Sequence, residues 1–147
     1  MSTLTTEAIR KSVLVDFAPA EAFELFTTRV SSWWPTTTHS YGGGRVKDVV
    51  FEPHVGGSFY EVTDEGIAEW GRVTAWEPPH RLALDWQIGK CAGTEVEVRF
   101  VPDGPGSRVE LEHRGWERIA DASERDGYAG GWDVVLAPYV ERASRKP

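Results

Sequence analysis

The chain is poor in cysteine, in positive charge and in long apolar runs, and it has no asparagine at all. A single cysteine, Cys91, excludes an intramolecular disulfide. It sits in a turn, Gly89-Lys90-Cys91-Ala92-Gly93, with no neighbouring base to make a thiolate nucleophile, and reads as incidental. The formal net charge of -7 argues against a general nucleic-acid binder, because phosphate contacts need clustered Lys and Arg. The same charge disfavours anionic membrane surfaces. The apolar stretches are a handful of residues long, far short of a membrane span. Met1 to Ser12 is polar and lacks an apolar h-region, so no secretory signal is read and a cytoplasmic location is expected.

What remains is ordinary globular composition, 40% hydrophobic and 27% charged over 147 residues, which suits one domain spanning 1–147 with one core. The unusual feature is tryptophan, seven residues at 33, 34, 70, 76, 86, 116 and 132. Each brings a large apolar surface and one N–H donor that wants a partner. Such residues either fill a core or line a cavity, and their number alone does not choose.

Residues 9–17 read as a first strand. Pro19 then suits the first turn of a helix, with Ala22, Phe23, Leu25, Phe26 and Val30 as its apolar face. Trp33-Trp34-Pro35 ends that segment, and the Thr- and Gly-rich residues 36–44 read as loop. Six strands follow at about 46–52, 57–63, 67–76, 81–87, 94–101 and 107–114, separated by turns built from Gly, Pro and Asp. In the last hairpin, Val96, Val98 and Phe100 alternate with Glu95, Glu97 and Arg99. In its return strand Val109, Leu111 and His113 alternate with charged residues. Like charges directly opposite one another are unfavourable, so the register predicted sets Arg99 across from Glu110 and Glu95 across from Arg114.

Residues 120–144 read as the longest helix, with Tyr128, Trp132, Val135, Leu136 and Tyr139 forming one stripe. Gly127, Gly130 and Gly131 weaken it unless they allow close approach to the sheet, and Pro138 should kink it or remove a hydrogen bond. The aromatic stripe is the available cover for the apolar face of the sheet.

The order of these elements resembles the START-like, or SRPBCC, superfamily of helix-grip proteins. Within it the chain is similar to the family named after the C-terminal domain of the activator of heat-shock protein 90 ATPase. The matching pieces are Ala18-Pro19-Ala20-Glu21-Ala22-Phe23, Trp33-Trp34-Pro35, Phe51-Glu52-Pro53 with Gly56-Gly57, and Gly71-Arg72-Val73 followed by Trp76-Glu77-Pro78-Pro79. Then come Leu82 to Trp86, Glu95 to Phe100, Val109 to His113 and the Gly130-Gly131-Trp132 helix. The resemblance spans 9–142. It implies an α+β helix-grip fold: a curved antiparallel sheet of about seven strands around a long C-terminal helix, with two short helices after strand one and a cavity between sheet and helix. The superfamily holds hydrophobic-ligand carriers, cyclases and dehydratases, and co-chaperone domains.

Three functions follow as expectations. The first is binding of a small apolar molecule in a cavity lined by Trp33, Trp34, Trp86, Val98, Leu111, His113, Trp116, Tyr128 and Trp132. The second is an enzyme of the cyclase or dehydratase kind that uses His113 with Glu61 or Glu69, since strand parity sets His113 inward and lets either carboxylate face it. The same inward His113 reads first as a core histidine satisfied by a backbone carbonyl or a tryptophan N–H. The third is stimulation of a chaperone ATPase. Trp33, Trp34 and His39 flank the 36–44 loop and form a cavity mouth, or the tryptophans plug the sheet end and His39 is solvated. Trp70 shares parity with Trp76 and Arg72, and that face reads as solvent. His39, His54, His80 and His113 lack metal-ligand spacing, and no cofactor motif is visible: neither a nucleophile elbow, nor a P-loop, nor a dinucleotide fingerprint. A homodimer is compatible with the sequence.

Overall fold

The computed structural model describes residues 6–144, apart from the side chain of Lys90. The first residues of the polar N-terminal segment, 1–5, lie outside the described residues. Seven antiparallel strands form one curled sheet: β1 (Ile9–Val15), β2 (Asp48–Phe51), β3 (Ser58–Thr63), β4 (Gly66–Glu77), β5 (Arg81–Trp86), β6 (Thr94–Asp103) and β7 (Gly106–Arg114). Their spatial order is β1-β7-β6-β5-β4-β3-β2, so each strand after β1 pairs with its sequence neighbour while β1 closes against β7. Helix α1 (Pro19–Phe26) follows β1, and the long helix α2 (Glu124–Arg142) lies last. This is the expected α+β helix-grip fold. The second short helix expected after strand one is a single 3-10 turn, Val30–Ser32.

Period-2 alternation does most of the work. Val96, Val98, Phe100, Val109, Leu111 and His113 all turn inward and are buried. The β6–β7 register pairs Arg99 with Glu110 and Glu95 with Arg114, as the charge argument required. On the outer face, Glu97 sits directly across from Glu112. Arg114 Nη1 donates to both carboxylates, at 2.9 and 2.7 Å, which relieves the repulsion. Arg81 and Arg99 also donate to Glu97, whose side chain is only 8% exposed. Burial works against the charged carboxylate, but hydrogen bonds from Arg81 and Arg114 and the charge of Arg99 outweigh it and hold the Glu97 pKa at about 2.

Two bulges correct the simple parity reading. Tyr60 pairs with Glu69 and Phe59 with Gly71, so Trp70 is the extra residue. A second irregularity skips Thr74 on β4. Trp70 is therefore fully buried rather than on a solvent face with Arg72, and its indole N–H donates to Glu61 at 2.7 Å. At the bulge Gly71 has no alternative, since any Cβ there would stand 2.5 Å from the Asp85 carbonyl oxygen.

Helix α2 lays Trp132, Val135, Leu136 and Tyr139 on the sheet. Tyr139 donates its hydroxyl proton to the Ala22 carbonyl at 2.9 Å, pinning α2 to α1, and Lys11 on β1 pairs with Asp133. The glycines of α2 do not serve close approach to the sheet. A Cβ at Gly127 or Gly130 would meet nothing within 4 Å, and one at Gly131 would meet only His39. The helix carries their cost without a packing return. Gly127→Ala is accordingly expected to raise the urea midpoint, with a gain of about 1 kcal/mol. A loss of stability would mean that the backbone at 127 needs glycine.

Candidate functional site

Between the 36–44 loop, the end of β5 and the N-terminal half of α2 lies a cavity of about 360 Å³. Trp86 comes from the last position of β5, and Trp34 from the segment that Pro35 terminates. Tyr128, Trp132 and Val135 come from the apolar stripe of α2. The loop adds Thr38, His39, Ser40 and Tyr41, while Ile88 and Glu124 complete the lining. Gly127 and Gly131, one turn apart on α2, also face it and supply no side chain. The empty volume is thus built partly from tryptophan walls and partly from missing side chains.

The indole rings enclose a slot. Trp34 and Trp132 stand nearly perpendicular, at 87° with centroids 6.1 Å apart, and Trp86 lies 5.5 Å from Trp132. All three indole N–H groups are already spent on the protein. Trp34 donates to the His39 carbonyl at 2.8 Å, Trp86 to the Tyr128 hydroxyl at 3.1 Å, and Trp132 to His113 Nδ1 at 3.0 Å. Toward the cavity these rings therefore offer apolar and π surface only. Polar contacts come from the loop and from Glu124.

Of the expected lining residues, Trp34, Trp86, Tyr128 and Trp132 face this cavity. Trp33, Val98, Leu111, His113 and Trp116 are buried in the core outside its lining. Trp33 donates to the Leu25 carbonyl and Trp116 to the His113 carbonyl, so both bind the protein to itself.

His113 does not face a carboxylate. Its Nδ1 accepts from the Trp132 indole, so its Nε2 carries the proton and donates to Thr94 Oγ1 at 2.8 Å, whose hydroxyl donates on to the Cys91 carbonyl. Burial pushes its pKa down to about 3, since the charged imidazole loses its hydration there. Glu61 does turn inward, yet its oxygens accept from the Tyr41 and Gly42 amides and the Trp70 indole, each at 2.7 Å. Glu69 lies on the outer face, where it accepts from Ser58 Oγ at 2.6 Å and pairs with Arg72. The bulge at Trp70 is what removes Glu69 from the inner side. Cys91 is buried, and burial pushes its thiol up, with Glu124 adding to the shift.

Sequence reasoning missed the work of Glu61 and the placement of His39. Glu61 holds the loop over the cavity. Tyr41, whose N–H it binds, then reaches across the mouth to accept from the Gly89 N–H at 2.8 Å. Glu61→Ala would orphan three N–H donors, and an expected loss of about 3 kcal/mol follows. The check is urea denaturation with hydrogen exchange, in which the Tyr41 and Gly42 amides should lose protection first. Unchanged protection at those amides would show that the loop is held otherwise. The nearby Thr-rich sequence gave no signal of this long-range anchor. Among the described residues no group of three His, Cys, Asp or Glu could hold a metal ion, and no helix is long and apolar enough to cross a membrane.

The chain is similar to the solved structure of Txn09, described as an anthrahydroquino-γ-pyrone synthase and solved as a complex. The identity is 35% over 91% of this chain and 95% of that one, with a TM-score of 0.64. At lower identity the fold alone is shared. The self-sacrificing resistance protein CalC from Micromonospora echinospora matches at 23% identity, TM-score 0.73, covering 97% of this chain and 99% of that one. The Aha1 dimer from Colwellia psychrerythraea matches at 16% identity, TM-score 0.70, covering 93% and 96%. No curated protein matches the chain. The family model described as activator of Hsp90 ATPase homolog 1-like protein matches residues 16–138, most of the chain, and the chain belongs to that family.

Proposed function

We propose that the protein binds a small, flat, largely apolar molecule in the cavity between the 36–44 loop and α2. The observation that carries this reading is the cavity itself: about 360 Å³, walled by Trp34, Trp86 and Trp132, and widened where Gly127 and Gly131 withhold side chains. Aromatic walls with their N–H donors already engaged favour a planar aromatic ligand over a polar one. Likeness to Txn09, a synthase whose name describes a fused aromatic product, supports the same ligand class.

A second reading is favoured by that likeness: an enzyme that transforms such a molecule in this cavity. The pairing of His113 with a carboxylate supplies no chemistry for it, since His113, Glu61 and Glu69 are each occupied elsewhere.

The test is titration with 9,10-anthraquinone while tryptophan fluorescence is followed. Saturable quenching with micromolar affinity is expected, because Trp34, Trp86 and Trp132 line the site. The absence of saturable quenching would reject the reading.

A further inference from the structure

We infer that His39 is the group in this cavity that recognises an acidic hydroxyl on the ligand, a phenol or an enol, and takes its proton. The inference rests on the reading that the cavity holds a flat aromatic molecule and names what that molecule carries.

Three features of His39 hold it at the cavity wall. Its main chain is fixed on both sides: its N–H donates to the Pro35 carbonyl at 2.9 Å, and its carbonyl accepts from the Trp34 indole at 2.8 Å. The ring is tethered too, with Nδ1 2.7 Å from Thr38 Oγ1. Thr38 Oγ1 is also within reach of the Pro35 carbonyl, at 3.4 Å. In the tautomer in which Nδ1–H donates to Thr38 and Thr38 donates to Pro35, Nε2 keeps its lone pair. That nitrogen faces α2 at Gly131, where even a Cβ would stand 3.8 Å away. A half-buried imidazole thus presents a bare acceptor to open cavity space rather than to another side chain.

The surrounding groups suit the transfer. His54 and His80 are exposed in turns, and His113 is sealed in the core, so His39 is the one imidazole lining the cavity. The other ionisable groups facing the space are Tyr41 from the loop and Glu124 and Tyr128 from α2. Glu61 is engaged by the Tyr41 and Gly42 amides and the Trp70 indole. When the ligand docks, its O–H bond breaks and an Nε2–H bond forms. An aryloxide and an imidazolium result in place of two neutral groups. The apolar rings on the remaining walls hold the ligand plane while its hydroxyl edge meets the loop.

The experiment compares 2-hydroxyanthraquinone with 9,10-anthraquinone, which lacks the hydroxyl, against the wild-type chain, His39→Ala and His39→Asn. Tryptophan quenching reads affinity, and the visible absorption of 2-hydroxyanthraquinone, which moves to longer wavelength on ionisation, reads the proton. In the wild type the hydroxylated compound should bind about 10-fold more tightly and show the ionised spectrum at a pH where it is neutral in buffer. His39→Ala should lose that 10-fold preference, read as the ratio of the two affinities within the same variant. His39→Asn should lose the spectral shift as well. Equal affinities for both compounds, or an ionised spectrum that survives His39→Ala, would overturn the inference and leave the binding reading standing. Failure of both compounds to bind the wild type would overturn the binding reading and the inference together.

Discussion

His113→Ala is expected to lower the unfolding free energy at pH 7 by about 3–5 kcal/mol. The substitution opens a void among Trp86, Trp116, Tyr128 and Trp132, whose rings lie 4.3 to 5.9 Å from the imidazole. It also strands the Trp132 indole N–H and removes the N–H that donates to Thr94 Oγ1. The penalty depends on pH, and the sign follows from the pKa. The imidazole is held at about 3 in the folded protein against 6.5 when free, so the unfolded chain binds the proton first as pH falls. The stability that the neutral imidazole contributes is complete above pH 6.5 and is lost as pH drops toward 3. The full span is on the order of 5 kcal/mol. His113→Gln, which keeps an acceptor and a donor, should fold and flatten this slope. Denaturant melts at pH 7, 5 and 4 check both variants. A His113→Ala protein of undiminished stability would contradict the core role. Glu97 adds a second acid limb with the same sign, lost between about pH 4.5 and 2 as its arginine-held carboxylate is protonated.

Gly131→Leu is expected to abolish ligand binding by about 100-fold or more while leaving the chain as stable as the wild type or more so. Leucine restores helix propensity at a position where a Cβ meets only His39, and its branches then occupy space between Trp132, Trp34 and the loop. Fluorescence titration with 9,10-anthraquinone beside a urea melt separates the two effects. Unimpaired binding in a stable Gly131→Leu protein would place the ligand elsewhere. Binding and stability lost together would mean that the glycine is needed for the helix itself. The pair of variants tests one idea from two sides: His113 holds the core together without facing the cavity, and Gly131 shapes the cavity without holding the core together.

Much of the fold was legible because it rests on local periodicity. Alternation in β6 and β7, the charge argument for their register, and the Tyr128-to-Tyr139 stripe all survive in the structure. What failed did so where one residue breaks the count. The extra residue at Trp70 reverses the parity of everything before it on β4, so Trp70 moves into the core and Glu69 out of it. No pattern of period 2 can announce its own interruption. The candidate site was legible only in part, for a different reason. Trp34, Trp86, Tyr128 and Trp132 were recognisable as cavity aromatics, but whether a buried tryptophan fills space or borders it depends on what stands opposite. Here that is a glycine face and a loop tied down by Glu61, 19 and 20 residues away in sequence. His39 was indistinguishable from a solvated loop histidine until the main-chain bonds that aim it were visible.

The most direct test of the cavity is a two-dimensional nitrogen–proton NMR titration that follows the indole signals of the seven tryptophans as 2-hydroxyanthraquinone is added. Large, saturable shifts are predicted for Trp34, Trp86 and Trp132, which line the space, with Trp33 and Trp116 nearly still. Shifts confined to other tryptophans, or a spectrum that does not change, would contradict a ligand site between the loop and α2.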